Sequence, residues 1–364
     1  MPTLQYALVG AAGGIAKTHL DSLARMPDAR LAALVDLNEA AGRARADAIG
    51  AAFFTDHRAM LSAVQPDVVV VVTPHPFHPQ VAIDSFAAGA HVLTEKPIAI
   101  SASAADAMID AADRAGRLLG VNFQQRFRPV VEYAHKFIAD GHLGELLRVL
   151  VVEPWYRPAA YYKSATWRGT WKGEGGGILM NQAPHTLDLL CHLAGAPTRV
   201  MGWTRTFKHT VEVEDSAQAM FEFANGAMGV LQVNTVDCGG AQRLEITGDK
   251  AALAISGDAL TITRYTPGMN AHREECTEMF ARPSAATETL NLASDDFGSG
   301  HLALHQDFFD AVVHNRAPRV DGREGRQSLE LANAILLSSD RNAPVTLPLD
   351  RAAYDELLTR LQGK

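Results

Sequence analysis

Apolar and polar positions change rhythm about a third of the way along the chain, and the change separates two kinds of architecture. Before it, short apolar runs alternate with helix-spaced segments, the order of a parallel sheet with crossover helices. "YALVG" reads as a strand that ends in a glycine-rich turn, and "HLDSLARM" continues with helical spacing. "RLAALVD" is a second strand closed by an acid, and "EAAGRARADAIG" an Ala/Arg helix stopped by Gly50. The unbroken valines of "PDVVVVV" suit a strand buried on both faces. "PQVAIDSFAAG" predicts a helix ending at Gly89, and "AHVLTEKP" a further strand. "SASAADAMIDAADRAGR" reads as a helix and "LLGVNFQ" as the last strand of this half, so a boundary is expected near Gln124.

Beyond Gln124 the strands alternate instead of running solid. "PVVEYAHKFIADG" predicts a helix and "ELLRVLVVEPWY" a long strand. "QAMFEFANGAMGVLQV" is two alternating runs joined by Asn225-Gly226, a strong hairpin signal. "QRLEITGDKAALAISGDALTITRY" adds Gly-Asp turns at Gly248 and Gly257, which predicts an antiparallel meander. Residues from Thr266 to Gly300 are polar and turn-rich and receive no regular element; "ALHQDFFDAVV" and "RQSLELANAIL" close the chain as helices. The expected class is α/β. A doubly wound parallel sheet occupies residues 1–124, and an α/β domain with a mainly antiparallel sheet occupies residues 125–364.

With 364 residues, 47% of them hydrophobic and 20% charged, the chain is long enough for two packed cores. A formal charge of −8 without any dense Lys/Arg run argues against nucleic acid or an anionic membrane as partner. The three cysteines, Cys191, Cys238 and Cys276, are far apart and in no metal-ligand spacing. They read as reduced thiols in a cytoplasmic protein, and no metal site is expected. "MPTLQYALVG" enters the first strand directly, so no leader is expected; no apolar stretch approaches the ~20 residues of a membrane span.

The turn "VGAAGGIAKTHL" carries the first candidate chemistry. Gly10, Gly13 and Ala16 form G-x-x-G-x-x-A, the dinucleotide fingerprint with one residue inserted after the first glycine. Gly10 permits the reversal at the strand end. Gly13, Gly14 and Ile15 bring backbone N–H groups toward a pyrophosphate, and Ala16 keeps the helix close to the sheet. A plain Gly/Ala-rich loop is the alternative. Asp36, ending "ALVD", supplies the context, because a carboxylate there accepts hydrogen bonds from a ribose 2′-hydroxyl and repels a 2′-phosphate. NAD is therefore preferred over NADP.

Two further constellations follow. In "TEKP", Glu95 and Lys96 leave a strand at the sheet edge where ligands of such folds bind, and a partly desolvated Lys there can hold or deprotonate a hydroxyl. A surface Lys in a tight Lys-Pro turn is the alternative; Pro97 also permits a cis peptide. In "GEGGGILMNQAPHTLDLLCHLAG", the Gly175–Gly177 run suits backbone packed on something flat. Leu187, Leu190, Cys191 and Ala194 fall on a buried helix face, whereas Asn181, His185, Asp188 and His192 form a polar stripe. Such a stripe is either simply solvated or, with His185 as general base, catalytic.

Taken together, the residues resemble the glucose–fructose oxidoreductase, inositol dehydrogenase and rhizopine-catabolism (Gfo/Idh/MocA) family over essentially the whole chain. The resemblance lies in "GGIAKTH", "TPHPFHPQVA", "AGAHVLTEKP", "WRGTW", "GGGILMNQAPHTLDLL" and "APRVDGREGRQSLELANAILLSS". It implies a Rossmann domain, a C-terminal domain whose open sheet mediates homodimers or homotetramers, and oxidation or reduction of a secondary alcohol on a sugar or cyclitol. It assigns Lys96, His185 and Asn181 as catalytic and substrate-binding, with Asn181 standing where many members carry Asp. Thr73, Pro74 and His78 of "TPHPFH", with Trp167 and Arg168 of "WRGTW", are expected near the cofactor. The segment "EPWYRPAAYYKSATWRGTWKG" is rich in aromatic and basic side chains, and Tyr161, Tyr162 and Lys163 are its candidates for substrate contact. Two other readings stay open: redox-neutral glycoside cleavage or epimerisation on a retained NAD, and a non-catalytic NAD- or sugar-sensing protein.

Overall fold

The computed structural model describes residues 2–240, 242–293 and 300–363, so residues 294–299 of the turn-rich stretch lie outside the described residues. The first domain is a parallel sheet of six strands, β1 (Leu4–Val9), β2 (Ala29–Val35), β3 (Ala52–Phe54), β4 (Val68–Val71), β5 (His91–Thr94) and β6 (Leu119–Val121), in the order β3-β2-β1-β4-β5-β6. Five helices cross over between them: α1 (Ala16–Ala24), α2 (Glu39–Ile49), α3 (His57–Val64), α4 (His78–Ala87) and α5 (Ala102–Ala115). The strand order reverses between β1 and β4, the switch point at whose carboxyl edge such sheets bind ligands. Val68 to Val71 are fully buried, as a strand covered on both faces requires.

Helices α2, α3 and α5 are capped by Asn38, Asp56 and Ser101, each accepting a backbone N–H of the first turn. Helix α1 has no side-chain cap, so its first N–H groups are left for another partner. That distinction follows from sequence: Ile15 stands where the others carry a polar cap.

In the second domain, α6 (Pro129–Ala139) leads into β7 (Leu146–Pro154), three one-turn helices α7 (Ala159–Tyr162), α8 (Trp171–Glu174) and α9 (Ile178–Asn181), and then α10 (Pro184–Ala194). Strands β8 (Arg199–Arg205), β9 (Ser216–Glu222), β10 (Met228–Asn234), β11 (Arg243–Gly248), β12 (Ala251–Ser256) and β13 (Ala259–Thr266) follow. After them come α11 (Met269–Glu275), β14 (Ser284–Asn291), α12 (His301–His314), α13 (Gly322–Arg341), β15 (Val345–Thr346) and α14 (Arg351–Gln362). The nine-stranded sheet runs β14-β13-β12-β11-β7-β10-β9-β8-β15 and is antiparallel except for the β7–β10 pair. The hairpin at Asn225-Gly226 joins β9 to β10, with Gly226 at φ +84°.

The segment after Thr266 is more regular than its composition implied, since it contains α11 and β14. Strand β14 is an exposed edge strand, held to β13 by Thr261–Thr289 and Thr263–Thr287 hydroxyl pairs rather than by apolar burial. One face of the large sheet packs on α13, where a Cβ at Gly202 would lie 2.8 Å from Ile335. On the other face Met220 and Val230 sit opposite each other, and both are exposed.

The C-terminal helices return to the first domain. Helix α12 packs on α1 and α13 on α5, and Asp321 bridges to Gly120 of β6. At the junction, Arg126 makes a two-pronged ion pair with Asp188 of α10 at 2.6 and 2.8 Å, both side chains being almost fully buried.

Candidate active site

The glycine turn leaves β1 at the switch point. Gly10 has φ +102°, and a Cβ there would lie 2.7 Å from the Val72 carbonyl carbon, so only glycine passes between the strand ends. At Gly14 an added Cβ would meet nothing within 4 Å, because that backbone faces open space. Arg45 braces the turn from behind, donating to the Gly13 carbonyl at 3.0 Å and to that of Ala11. Asp36 accepts the Ala12 N–H at 2.7 Å and the Asn38 N–H at 2.8 Å. The inserted residue in the fingerprint is thus tied to the acid that ends β2.

A cavity of about 490 Å³ runs from this turn to the β5 end. Gly10, Gly13, Gly14, Ile15 and Asp36 line one end; Thr73, Pro74 and His75 line its middle; Glu95, Lys96, Trp167, Arg168, Asn181 and His185 line the other. Uncapped N–H groups of α1, a glycine cradle open to the cavity and a carboxylate at the β2 end fit the pyrophosphate and ribose of a dinucleotide. Ala16 is fully buried beneath the turn. His78 does not line this cavity: its ring bridges the Thr73 and Pro97 carbonyls at 2.8 and 3.0 Å, tying the strand end to the Lys96-Pro97 turn, whose peptide is cis.

At the far end, Lys96 Nζ donates to the backbone carbonyl of Asn181 at 2.9 Å. Burial lowers the Lys96 pKa; Glu95 opposes that shift and Arg168 adds to it. His185 is buried, its Nδ1 has no partner, and Phe123 packs edge-on at 5.9 Å. Burial, then the Lys96 charge, holds His185 well below the ordinary imidazole range, so the ring is neutral. The Asn181 amide donates to the buried carboxylate of Glu174, which also takes the Gly169 N–H at 2.5 Å and lies 3.6 Å from Arg168. A carboxylate therefore stands behind Asn181 although position 181 itself has none.

Glu95 is more enclosed than a cavity-lining acid usually is. Its Oε1 accepts from His19 at 2.9 Å and from the Asn122 amide, and His19 in turn meets His305 at 2.9 Å. Burial opposes its charge, but the His19 hydrogen bond and the neighbouring cations hold it well below the usual carboxylate range. Among the described residues, His19, Glu95 and His301 bring possible metal-ligating atoms within 4.8 Å of one another. No sequence spacing announces that grouping, because α1, β5 and α12 each contribute one member.

The polar stripe read along "NQAPHTLDLLCH" is divided by the structure. Asn181 ends α9, and only His185 of the α10 members faces the cavity. Asp188 is locked to Arg126, and His192 stacks on His135 at 4.3 Å with its pKa lowered by burial to about 3. Nor does the triple glycine face a flat ligand. A Cβ at Gly177 would lie 1.8 Å from the Glu214 carbonyl oxygen, while the Glu214 carboxylate accepts the Gly177 and Leu179 N–H groups at 2.9 and 3.1 Å.

A second cavity, of about 360 Å³, opens on the same Lys96, Asn181 and His185 and is lined further by Gln124, Gln125, Arg128, Trp155, Arg157 and Gln182. Tyr161, Tyr162 and Lys163 are not among its lining residues. The Tyr161 hydroxyl is taken up by Arg168 at 2.6 Å and Gln182 at 3.1 Å. Tyr162 and Lys163 line a separate cavity with Lys208 and His209. The aromatic-rich segment does reach the second cavity, but through Trp155 and Arg157 at the exit of β7. The glutamines and Arg128 carried no local signal, because the domain junction and the turn before α10 deliver them.

Comparison with known proteins agrees with this geometry. Residues 4–123 match the pattern described as "Oxidoreductase family, NAD-binding Rossmann fold", and residues 131–254 match the "GFO/IDH/MocA C-terminal domain". The inositol 2-dehydrogenase of Rhizobium meliloti strain 1021 is 30% identical over 345 residues, 87% of this chain and 98% of that enzyme. The D-glucoside 3-dehydrogenase of Escherichia coli K12 is 29% identical over 256 residues, 64% of this chain and 70% of that enzyme. The WlbA dehydrogenase of Bordetella pertussis, crystallised with NADH and UDP-GlcNAcA, superimposes with a TM-score of 0.81 at 31% identity, over 96% of this chain and 100% of that one. The chain belongs to the Gfo/Idh/MocA family of oxidoreductases, and its first domain is an NAD-binding Rossmann domain.

Proposed function

We propose that the protein oxidises a secondary alcohol on a sugar, sugar derivative or cyclitol, or reduces the corresponding ketone, with NAD as the hydride partner. The carrying observation is the meeting of the two cavities at Lys96 and His185: one has the features of a dinucleotide site, the other is a polar chamber of small-molecule size. Four carboxamides, Gln124, Gln125, Asn181 and Gln182, line the second cavity, and each can both donate to and accept from hydroxyl groups. Relatives named as inositol and glucoside dehydrogenases support the same class of substrate.

When bound, NAD supplies the hydride-accepting chemistry. The chain's own residues handle the proton. Lys96, fixed on the Asn181 carbonyl, polarises the substrate oxygen and stabilises the charge that grows on it. His185, neutral in its buried setting, takes the hydroxyl proton during oxidation and returns it during reduction. Asn181 orients the substrate hydroxyl or the imidazole without exchanging a proton. Trp167 and Arg168 close the cofactor cavity beside them, the guanidinium lying 4.5 Å from the Trp167 ring centroid.

We assign the open face of the large sheet, with exposed Trp203, Met220, Met228 and Val230, to a homodimer or homotetramer contact. The three free cysteines fit a cytoplasmic setting, and no helix among the described residues is long and apolar enough to cross a membrane.

The test is to follow NADH absorbance with purified protein, NAD⁺ and a panel of sugars, anhydrosugars, sugar acids and inositols. Growth of NADH with one group supports the reading. Consumption of a glycoside without net NADH would replace it with the redox-neutral reaction.

A further inference from the structure

We infer that the substrate is a sugar acid, its carboxylate bound by Arg157 at the wall of the second cavity. The inference rests on the dehydrogenase reading above and names the substrate class for that site.

The argument is one of charge. None of the nine residues lining the second cavity is acidic, whereas three are cationic: Lys96, Arg128 and Arg157. Lys96 has the neighbouring charge of Glu95 to offset it. Arg128 is ion-paired with Asp258 at 2.8 Å, and the same nitrogen donates to the Gly257 carbonyl at 2.6 Å. Arg168, behind the wall, has Glu174 at 3.6 Å. Of the three guanidinium groups, Arg157 alone has no carboxylate within ion-pair distance among the described residues, and unlike Lys96 it has no buried acid as its chain neighbour.

The Arg157 guanidinium is also poorly supplied with neutral acceptors. Its Nη1 donates to the Tyr156 carbonyl at 3.1 Å, and its Nε is buried with no partner. Aromatic faces hold it instead, Tyr161 at 5.1 Å and Trp155 at 5.6 Å from ring centroid to guanidinium. The backbone beneath is anchored where the Arg157 N–H donates to the Thr235 carbonyl at 2.9 Å. Rings fix the plane of the guanidinium without neutralising it, which leaves a positioned donor fork facing a cavity without acids. A planar fork of this kind pairs best with a carboxylate, through two parallel hydrogen bonds. One uncompensated positive charge matches one carboxylate rather than a phosphate dianion. The carboxylate is then a handle remote from the reacting carbon, and it takes no part in the proton transfer at Lys96 and His185.

The experiment compares hexuronates and hexonates with the neutral parent hexoses and with hexose 6-phosphates. It reads kcat and KM for oxidation, and binding to the NADH-loaded protein by calorimetry. Wild-type protein is expected to favour a sugar acid over its neutral parent by ~10–100-fold in KM, the usual range for a charge-assisted pair. Arg157→Met, which keeps an apolar stem against the rings, should erase that preference by raising KM for the acid toward that of its neutral parent, and Arg157→Lys should restore part of it. Equal use of acids and neutral sugars, or an acid preference that survives Arg157→Met, would overturn the inference and leave the dehydrogenase reading in place. Better use of the phosphate esters would also overturn it. Arg157-dependent binding of a hexuronate without NADH formation from any sugar would sink the dehydrogenase reading and keep the anion site. If no sugar acid binds the NADH-loaded protein, the assignment of Arg157 is wrong.

Discussion

Lys96 Nζ lies 2.9 Å from the backbone carbonyl of Asn181, so the ammonium at the end of β5 is held by the second domain rather than by its own. The backbone, not the amide side chain, is the acceptor. A substitution at Asn181 therefore leaves the Lys96 anchor in place, and the two residues can be tested separately. If Lys96 polarises the substrate oxygen and His185 removes the proton, Lys96→Ala and His185→Ala should each lower kcat by at least ~10²-fold. NAD⁺ affinity, read by fluorescence titration, should change little. Near-normal turnover in either variant would defeat the assignment.

The pH profile separates the same two roles. A base must be unprotonated, so activity is present above the His185 pKa; a polarising cation must be protonated, so activity is present below the Lys96 pKa. Burial lowers both. The acid limb of kcat/KM should therefore fall below the ~6.5 of a free imidazole, and the alkaline limb below the ~10.4 of a free lysine. Lys96→Arg should move the alkaline limb out of range. An acid limb at the free-imidazole value would mean that His185 is not the base.

If the Asp36 carboxylate holds the ribose, cofactor choice turns on it. The carboxylate lines the cavity while also holding the Ala12 N–H at 2.7 Å. Asp36→Asn can keep the Ala12 contact through its carbonyl oxygen, while it removes the charge and the acceptor that faces the Asn38 N–H. The expected result is a ~10-fold rise in KM for NAD⁺ and a comparable narrowing of the gap to NADP⁺. Unchanged discrimination would place the ribose contact elsewhere.

The resemblance leads to the expectation that many members carry Asp where this chain has Asn181, and Glu174 supplies a physical reason for the amide here. The Asn181 amide donates to the buried Glu174 carboxylate. An Asp there would set two carboxyl groups side by side, one of which would have to stay protonated. Asn181→Asp should cost about 1–3 kcal/mol in chemical denaturation at neutral pH. Adding Glu174→Gln to that variant should recover most of the loss, because the new amide can donate where Asn181 did. Independent, additive losses would show that the two side chains do not depend on each other.

Several parts of the fold were legible from sequence: the valine run of β4, helices α2 and α5, and the hairpin at Asn225-Gly226; β3 and the short α3, between Gly50 and the valine run, were not read. Strand β14 was not, because "SAATETLN" is an exposed edge strand paired through hydroxyl groups, with no buried face to betray it. Within the candidate site, the glycine turn, Asp36, Lys96 and His185 are each announced by a local motif. Arg157 and Trp155 lie in a segment whose composition attracted notice, yet nothing local ranked them above Tyr161, Tyr162 and Lys163. The β7–β10 pairing continues past the strand end, where the Trp155 and Arg157 N–H groups donate to the Asn234 and Thr235 carbonyls, and that long-range register fixes where the two side chains stand. Gln124 and Arg128 carry no motif at all.

Asp188 shows how periodicity can mislead. It sits one turn after His185 on α10 and reads as part of a polar stripe, yet it is 1% exposed and clasped by Arg126, itself 3% exposed. Two charges so enclosed cost solvation energy that only their mutual geometry offsets. Removing one partner leaves the other charged and buried, with Glu324 at the rim as the remaining acid for Arg126 at 2.7 Å. Asp188→Ala should therefore lower stability by about 3–5 kcal/mol, whereas the double change Arg126→Met with Asp188→Leu should recover most of it. Turnover measured below the melting transition separates this role from catalysis. Since the carboxylate does not line the cavity, kcat should stay within about 10-fold of wild type, far above the Lys96→Ala and His185→Ala variants. A loss of ~10²-fold or more in kcat without a stability change would give Asp188 a part in the proton transfer, and its separation from His185 as a structural member of the stripe would fail.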